Sequence, residues 1–113
     1  MPMTNLEISK ILHGMMSAFR EGIGETPYPK WEGLDQPTID LYDGAIELIK
    51  QYEYYRITPK RIHQFWQEWA KTHRPDHLSL PIAYEDLSQT EKIKDMFVIS
   101  IVNDLLNSEI ISS

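Results

Sequence analysis

The sequence predicts an all-α fold: a small single domain built as a bundle of about four helices, with an extended proline-containing segment before the last helix. Three observations carry this expectation. Helix-start signatures recur at Thr4, Thr58 and Ser88, each leading into apolar residues spaced three and four apart. Stretches rich in glycine and proline separate these segments. The one β-branched run, VISIV at 98–102, follows a charged lead-in and a cap, which favours helix over strand. A chain of 113 residues suits one domain with a modest core.

The first helix opens on a capping box. Thr4 is placed to accept from the Glu7 backbone, and Glu7 to reach back. Leu6, Ile8, Ile11, Leu12, Met15, Met16 and Phe19 follow as its apolar positions, and Gly22 and Gly24 stop it. The stretch TPYPKWEG, residues 26–33, reads as a loop in which Trp31 pins the chain onto the core. A second helix starts near Asp35 with Pro37 in its first turn, and buries Ile39, Tyr42, Ala45, Ile46, Ile49 and Tyr52. Gly44 lowers its intrinsic stability and suits a close helix crossing. Tyr52, Tyr54 and Tyr55 form an aromatic cluster where it ends.

Thr58 and Pro59 cap and open the third helix. Ile62, Phe65, Trp66, Trp69 and Ala70 make its apolar face; His63 and Gln67 are expected off that face. Residues 77–84, HLSLPIAY, read as the extended arm, with its leucines and isoleucine pressed on the helices. Ser88 and Glu91 repeat the capping box, and Ile93, Met96, Phe97, Ile101 and Leu105 are expected inward. Val98, Ile99 and Val102 make this last helix apolar nearly all round, which puts it at the bundle centre or at an oligomer interface. The tail NSEIISS is expected to fray.

Charge and composition narrow the function. A net charge of −6 argues against binding nucleic acid through phosphate contacts; its commonest meaning is solubility, and its rarer one an acidic surface that docks on a basic partner or mimics nucleic acid. The absence of cysteine excludes disulfides, zinc–thiolate sites and thiol chemistry, and fits a cytoplasmic protein. The N-terminal residues carry no apolar run of signal-peptide length, and the run at 96–102 is too short to span a bilayer.

Nothing in the motifs calls for catalysis. His73 and His77 stand four apart but straddle Pro75, so they do not share a helix face, and no metal site or cofactor is expected. Glu85 and Asp86 are adjacent and point apart. Ser88 is a helix cap and Asp95 suits the helix dipole, whereas Lys94 near a helix start does not; it is open to an ion pair or an anionic ligand, with a solvated side chain as the default.

The segment from Ile62 to Phe65 and Trp66, through Ala83, Tyr84 and Leu87, to Lys94 and Asp95 resembles the ryanodine-receptor repeat domain, the RyR domain. That family has H-x-x-W on a helix, a loop ending H-P-x-L-x-P-Y-x-x-L, and a charged pair opening an apolar helix. His63 and Trp66 fit the first element, His77, Leu80, Tyr84 and Leu87 the second, and Lys94 with Asp95 the third. Residues 35–107 match best, and residues 1–34 resemble the N-terminal helix and tryptophan loop of small bacterial and phage proteins with this domain. The family's G-W-x-Y-G loop is missing, which weakens a transferred ligand site more than the fold, and Pro81 does not stand directly before Tyr84.

The resemblance implies a non-enzymatic binding module for a nucleotide-derived or other small anionic ligand, acting in the cytoplasm, that of the host if the protein is phage-encoded. His63, Trp66, Tyr84 and Lys94 are the candidate ligand residues: Trp66 and Tyr84 to stack on a ring, His63 and Lys94 to meet an anion. The alternative is an acidic protein–protein adaptor or inhibitor of a host protein, forming homo-oligomers through the last helix. Neither reading involves a membrane or direct nucleic-acid binding.

Overall fold

Thr4, Asp35, Thr58 and Ser88 each accept a hydrogen bond from a backbone N–H three residues on, and each starts a helix in the computed structural model. The structure describes residues 3–53 and 56–112, with side chains as far as Asn107. It is all-α among the described residues: α1 (Asn5–Gly22), α2 (Gln36–Lys50), α3 (Pro59–His73) and α4 (Gln89–Ser112), with single 3-10 turns at Trp31–Gly33 and Tyr84–Asp86. No helix among the described residues is long and apolar enough to cross a membrane.

The capping box at Thr4 is complete, since Glu7 Oε1 also accepts from the Thr4 backbone at 3.0 Å. The Ser88 box is half formed: Ser88 caps, while the Glu91 carboxylate turns to Lys94 instead. Gly24, at φ 85°, makes the left-handed turn that ends α1. Such caps satisfy the orphan groups at helix ends and contribute about 1 kcal/mol each.

The core lies where α1, α2 and α4 meet. Ile8 and Leu12 of α1, Ile46 and Ile49 of α2, and Ile99 and Val102 of α4 are essentially inaccessible to solvent. Burying such a side chain stabilises the fold by about 1.5–3 kcal/mol. α3 packs on α2 and α4. Gly44 faces the Phe65 ring, and a Cβ there would lie 2.8 Å from Phe65 Cζ, so the glycine sets the close approach of α2 to α3. Trp69 Nε1 donates to the Pro37 carbonyl at 2.9 Å and ties the end of α3 to the start of α2.

Several expectations change. Leu6, Ile11 and Met15 of the α1 stripe are exposed, because the buried arc of α1 runs through Ile8, Leu12 and Met16 and turns towards His13. Tyr52 is exposed too, while Tyr54 and Tyr55 lie outside the described residues. Ile93 and Met96 are 39% and 41% exposed; α1 and α3 both pack on α4 and take its Ile99 and Val102 side inward. The arm before α4 is a series of tight turns rather than an extended strip, with Leu80 and Ile82 N–H donating to the His77 and Ser79 carbonyls. Leu78, at 88% exposed, rides on the outside of a turn. The side chains of the tail expected to fray fall outside the described residues beyond Asn107.

Candidate functional site

The four helices leave a cavity of about 640 Å³ between them, within the range of small-molecule sites. Leu12, Met16, Ala45, Ile62 and Val98 supply its apolar lining. Rings crowd its wall: His13, Tyr28, Tyr42, Phe65, Trp66 and Trp69. Two polar groups complete it. One gathers Arg20, Glu25, Glu91, Lys94 and Asp95; the other gathers Asp35, Thr38 and Arg74, where Arg74 pairs with Asp35 at 3.0 Å and lies over the Trp69 ring.

Three of the four residues expected to bind ligand come together. The His63 ring stacks on Trp66 at 5.7 Å and tilts to Tyr84 at 6.4 Å. Their roles divide, however. His63 is buried, against the expectation of a position off the apolar face, and its Nε2 donates to the Ile82 carbonyl at 2.7 Å. A carbonyl only accepts, so the ring must carry its proton on that nitrogen. Gln67, also expected outside, donates to the Leu80 and Ile82 carbonyls at 2.9 and 3.1 Å. Both side chains turn inward because the arm's turns leave carbonyls facing α3 that need donors. Trp66 lines the cavity, and its edge meets His77 at 4.8 Å. Tyr84 does not line it; its ring instead lies 5.5 Å from the Lys92 ammonium.

Lys94 lines the cavity from α4 and is only 12% exposed. Its anionic partners are internal: Glu25 at 2.7 Å and Glu91 at 3.0 Å. Burial works against its charge, but these hydrogen bonds outweigh it and hold its pKa above the ordinary lysine value. Asp95 does not act through the helix dipole as expected. It stands beyond the first turn, and burial, reinforced by the nearby Glu91 charge, pushes its carboxyl up to about 7. Near neutral pH it can therefore donate or accept a hydrogen bond.

Sequence reasoning missed His13. Its Nε2 donates to the Pro29 carbonyl at 2.7 Å, and Tyr42 Oη lies 2.7 Å from Nδ1. Burial raises the Tyr42 pKa far above the physiological range, so Tyr42 keeps its proton and donates it to Nδ1 of the neutral ring. Tyr28 stacks on the same ring at 5.7 Å and Trp31 meets it edge-on at 5.9 Å, so Trp31 pins its loop through a histidine. The signal was present: His13 falls on the Ser9 side of the buried α1 arc, one residue after Leu12. Arg20 was missed as well. Its guanidinium lies 4.2 Å from the Tyr28 ring centroid, and its buried Nε completes no hydrogen bond.

The arrangement can stack a flat ring against aromatic side chains and offer cationic groups to an oxyanion. No family model, curated protein or solved structure matches the chain.

Proposed function

We propose that this protein is a non-catalytic binding module whose central cavity takes a small planar ligand bearing an oxyanion. Nucleotide-derived compounds join those two features. The observation that carries the reading is a ring-lined cavity of about 640 Å³ with Arg20 and Lys94 on its wall. Trp66 is the stacking surface in this reading, and His63 supports it by fixing the arm beside it. The RyR-like assignment is part of the same proposal; its support is that His63, Trp66 and Tyr84 form one aromatic group. On this reading the protein acts in the cytoplasm, as small phage and bacterial relatives of that domain would.

A thermal-shift panel of nucleosides and their monophosphates tests the proposal. A ligand that binds only the folded state raises the Tm by mass action. At least one monophosphate should do so, and Trp66→Ala should weaken its binding roughly tenfold or more, as expected for loss of a stacking partner. No shift with any compound at about 1 mM, equivalent to less than about 4 kcal/mol of binding, overturns the reading.

A second reading has its own observation. Ile11 and Met15 of α1 and Ile93 and Met96 of α4 are all exposed, on two helices that pack together. This gives the adaptor or homo-oligomer alternative a surface, though not the one expected, since Ile99 is core. Met96→Glu separates the two. It should leave ligand binding intact and abolish any dimer seen by sedimentation; an unchanged monomer in both proteins removes the oligomer reading.

A further inference from the structure

We infer that Glu25 is a displaceable stand-in for the ligand's oxyanion, seated between Arg20 of α1 and Lys94 of α4. The inference rests on the binding reading above and assigns its anionic subsite. One oxygen, Glu25 Oε1, accepts from Lys94 Nζ at 2.7 Å and stands 3.5 Å from Arg20 Nε. A single carboxylate thus bridges cations from two helices, yet serves them unequally: Arg20 Nε is buried and still completes no hydrogen bond. A phosphate, with oxygens pointing in several directions, can satisfy the Lys94 ammonium and the Arg20 N–H together where one glutamate oxygen does not.

The surroundings hold the two cations in place without Glu25. The Arg20 guanidinium lies over the Tyr28 ring, 4.2 Å from its centroid, a contact that does not depend on Glu25. Lys94 keeps Glu91, one turn back on its own helix, at 3.0 Å. The backbone of Glu25 is also fixed. Its N–H donates to the Arg20 carbonyl at 2.8 Å, and the Gly24 N–H donates to the Glu21 carbonyl at 3.1 Å. Vacating the subsite is therefore a rotation of one side chain that is already 36% exposed, with no loop to move. When Glu25 swings out, Arg20 and Lys94 are left with Glu91 and with Asp95, whose burial keeps it partly protonated near neutral pH, and an incoming oxyanion takes the place of the departed carboxylate. Tyr28, over whose ring Arg20 lies, and Trp66 line the same cavity and are the stacking partners available to a ring attached to that oxyanion. The ligand class is a compact oxyanion, phosphate or carboxylate, joined to a flat ring; the neutral ring compound alone does not compete with Glu25.

Calorimetry on the full chain tests this with the four ribonucleosides, their 5′-monophosphates and inorganic phosphate. Wild type is compared with Glu25→Gln and with Lys94→Met, and thermal unfolding verifies that both variants fold. Glu25→Gln should bind the best monophosphate roughly tenfold more tightly than wild type, because an internal charged competitor is gone. Its affinity for the matching nucleoside should stay within about twofold, and inorganic phosphate should bind Glu25→Gln more tightly than wild type. Lys94→Met should lose the advantage of the monophosphate over the nucleoside. If Glu25→Gln binds the monophosphate no better than wild type while the nucleoside still binds, the stand-in is wrong and the cavity reading survives. If neither nucleosides nor monophosphates bind any of the three proteins, the cavity reading itself falls.

Discussion

His13 holds the 26–33 loop much as His63 holds the arm before α4. Each is 4% exposed, each donates from Nε2 to a carbonyl of its segment at 2.7 Å, and each lies against a tryptophan and a tyrosine. Both line the same cavity. They differ in redundancy. The Ile82 carbonyl held by His63 has a second donor in Gln67, whereas His13 uses both nitrogens, one on Pro29 and one on the Tyr42 hydroxyl. A buried histidine that closes a chain of groups is harder to replace than one that shares its acceptor, whatever its sequence context.

The largest expected effect follows directly. His13→Phe leaves the Tyr42 hydroxyl and the Pro29 carbonyl without their partner, and should cost about 3 kcal/mol in denaturant unfolding; His63→Phe should cost about 1 kcal/mol, since Gln67 still serves Ile82. Equal losses would break the comparison. Next in size is the double variant His63→Phe with Gln67→Leu, which strips the arm of both donors. It should cost about 1 kcal/mol more than the sum of the single changes, measured as a double-mutant cycle. Strict additivity would show that the two donors are independent.

Asp95 reports how far its own corner of the cavity is shut off from water. Its folded pKa is raised from 3.8 to about 7, so the folded state favours the protonated carboxyl. Its stabilising effect is full below about pH 4, is lost as pH rises towards 7, and changes no further above that. Asp95→Asn, which cannot ionise, should be more stable than wild type at pH 8 by about 2 kcal/mol after allowance for partial exposure, and nearly equal to it at pH 4. A constant difference across that range would mean that Asp95 is solvated. The smallest effect belongs to Tyr84→Leu. Tyr84 touches His63 but does not line the cavity, so ligand affinity should change by less than about threefold, well below a stacking contribution.

Helix starts were legible because a cap is a local event: Thr4, Asp35, Thr58 and Ser88 announce themselves within four residues. Gly44 was legible for the same reason, as one glycine in an apolar stripe. The site was less so. Trp66 and Lys94, both expected at the site, do line the cavity, but besides the nearby Glu91 the partner of Lys94 is Glu25, 69 positions away in the chain. Spacing cannot announce such a pair. The residue type of His63 suggests an anion contact, whereas the arm's turned backbone requires it as a carbonyl donor. His13 was overlooked because its partners, Pro29 and Tyr42, are fixed only once a loop folds back. Exposure of Ile93 and Met96 depended on which side of a nearly all-apolar helix its neighbours chose, and the helix itself carries no amphipathic signal to decide that.

On the proposed reading, ligand enters the space between the helices rather than settling on the exposed apolar side chains of α1 and α4. The most direct test is an NMR titration of the methyl-labelled protein with the tightest-binding monophosphate. Shifts should concentrate at the Met16 and Val98 methyl groups and the Trp66 indole N–H. Shifts confined to Ile11, Met15 and Met96, with the cavity signals unmoved, would contradict it.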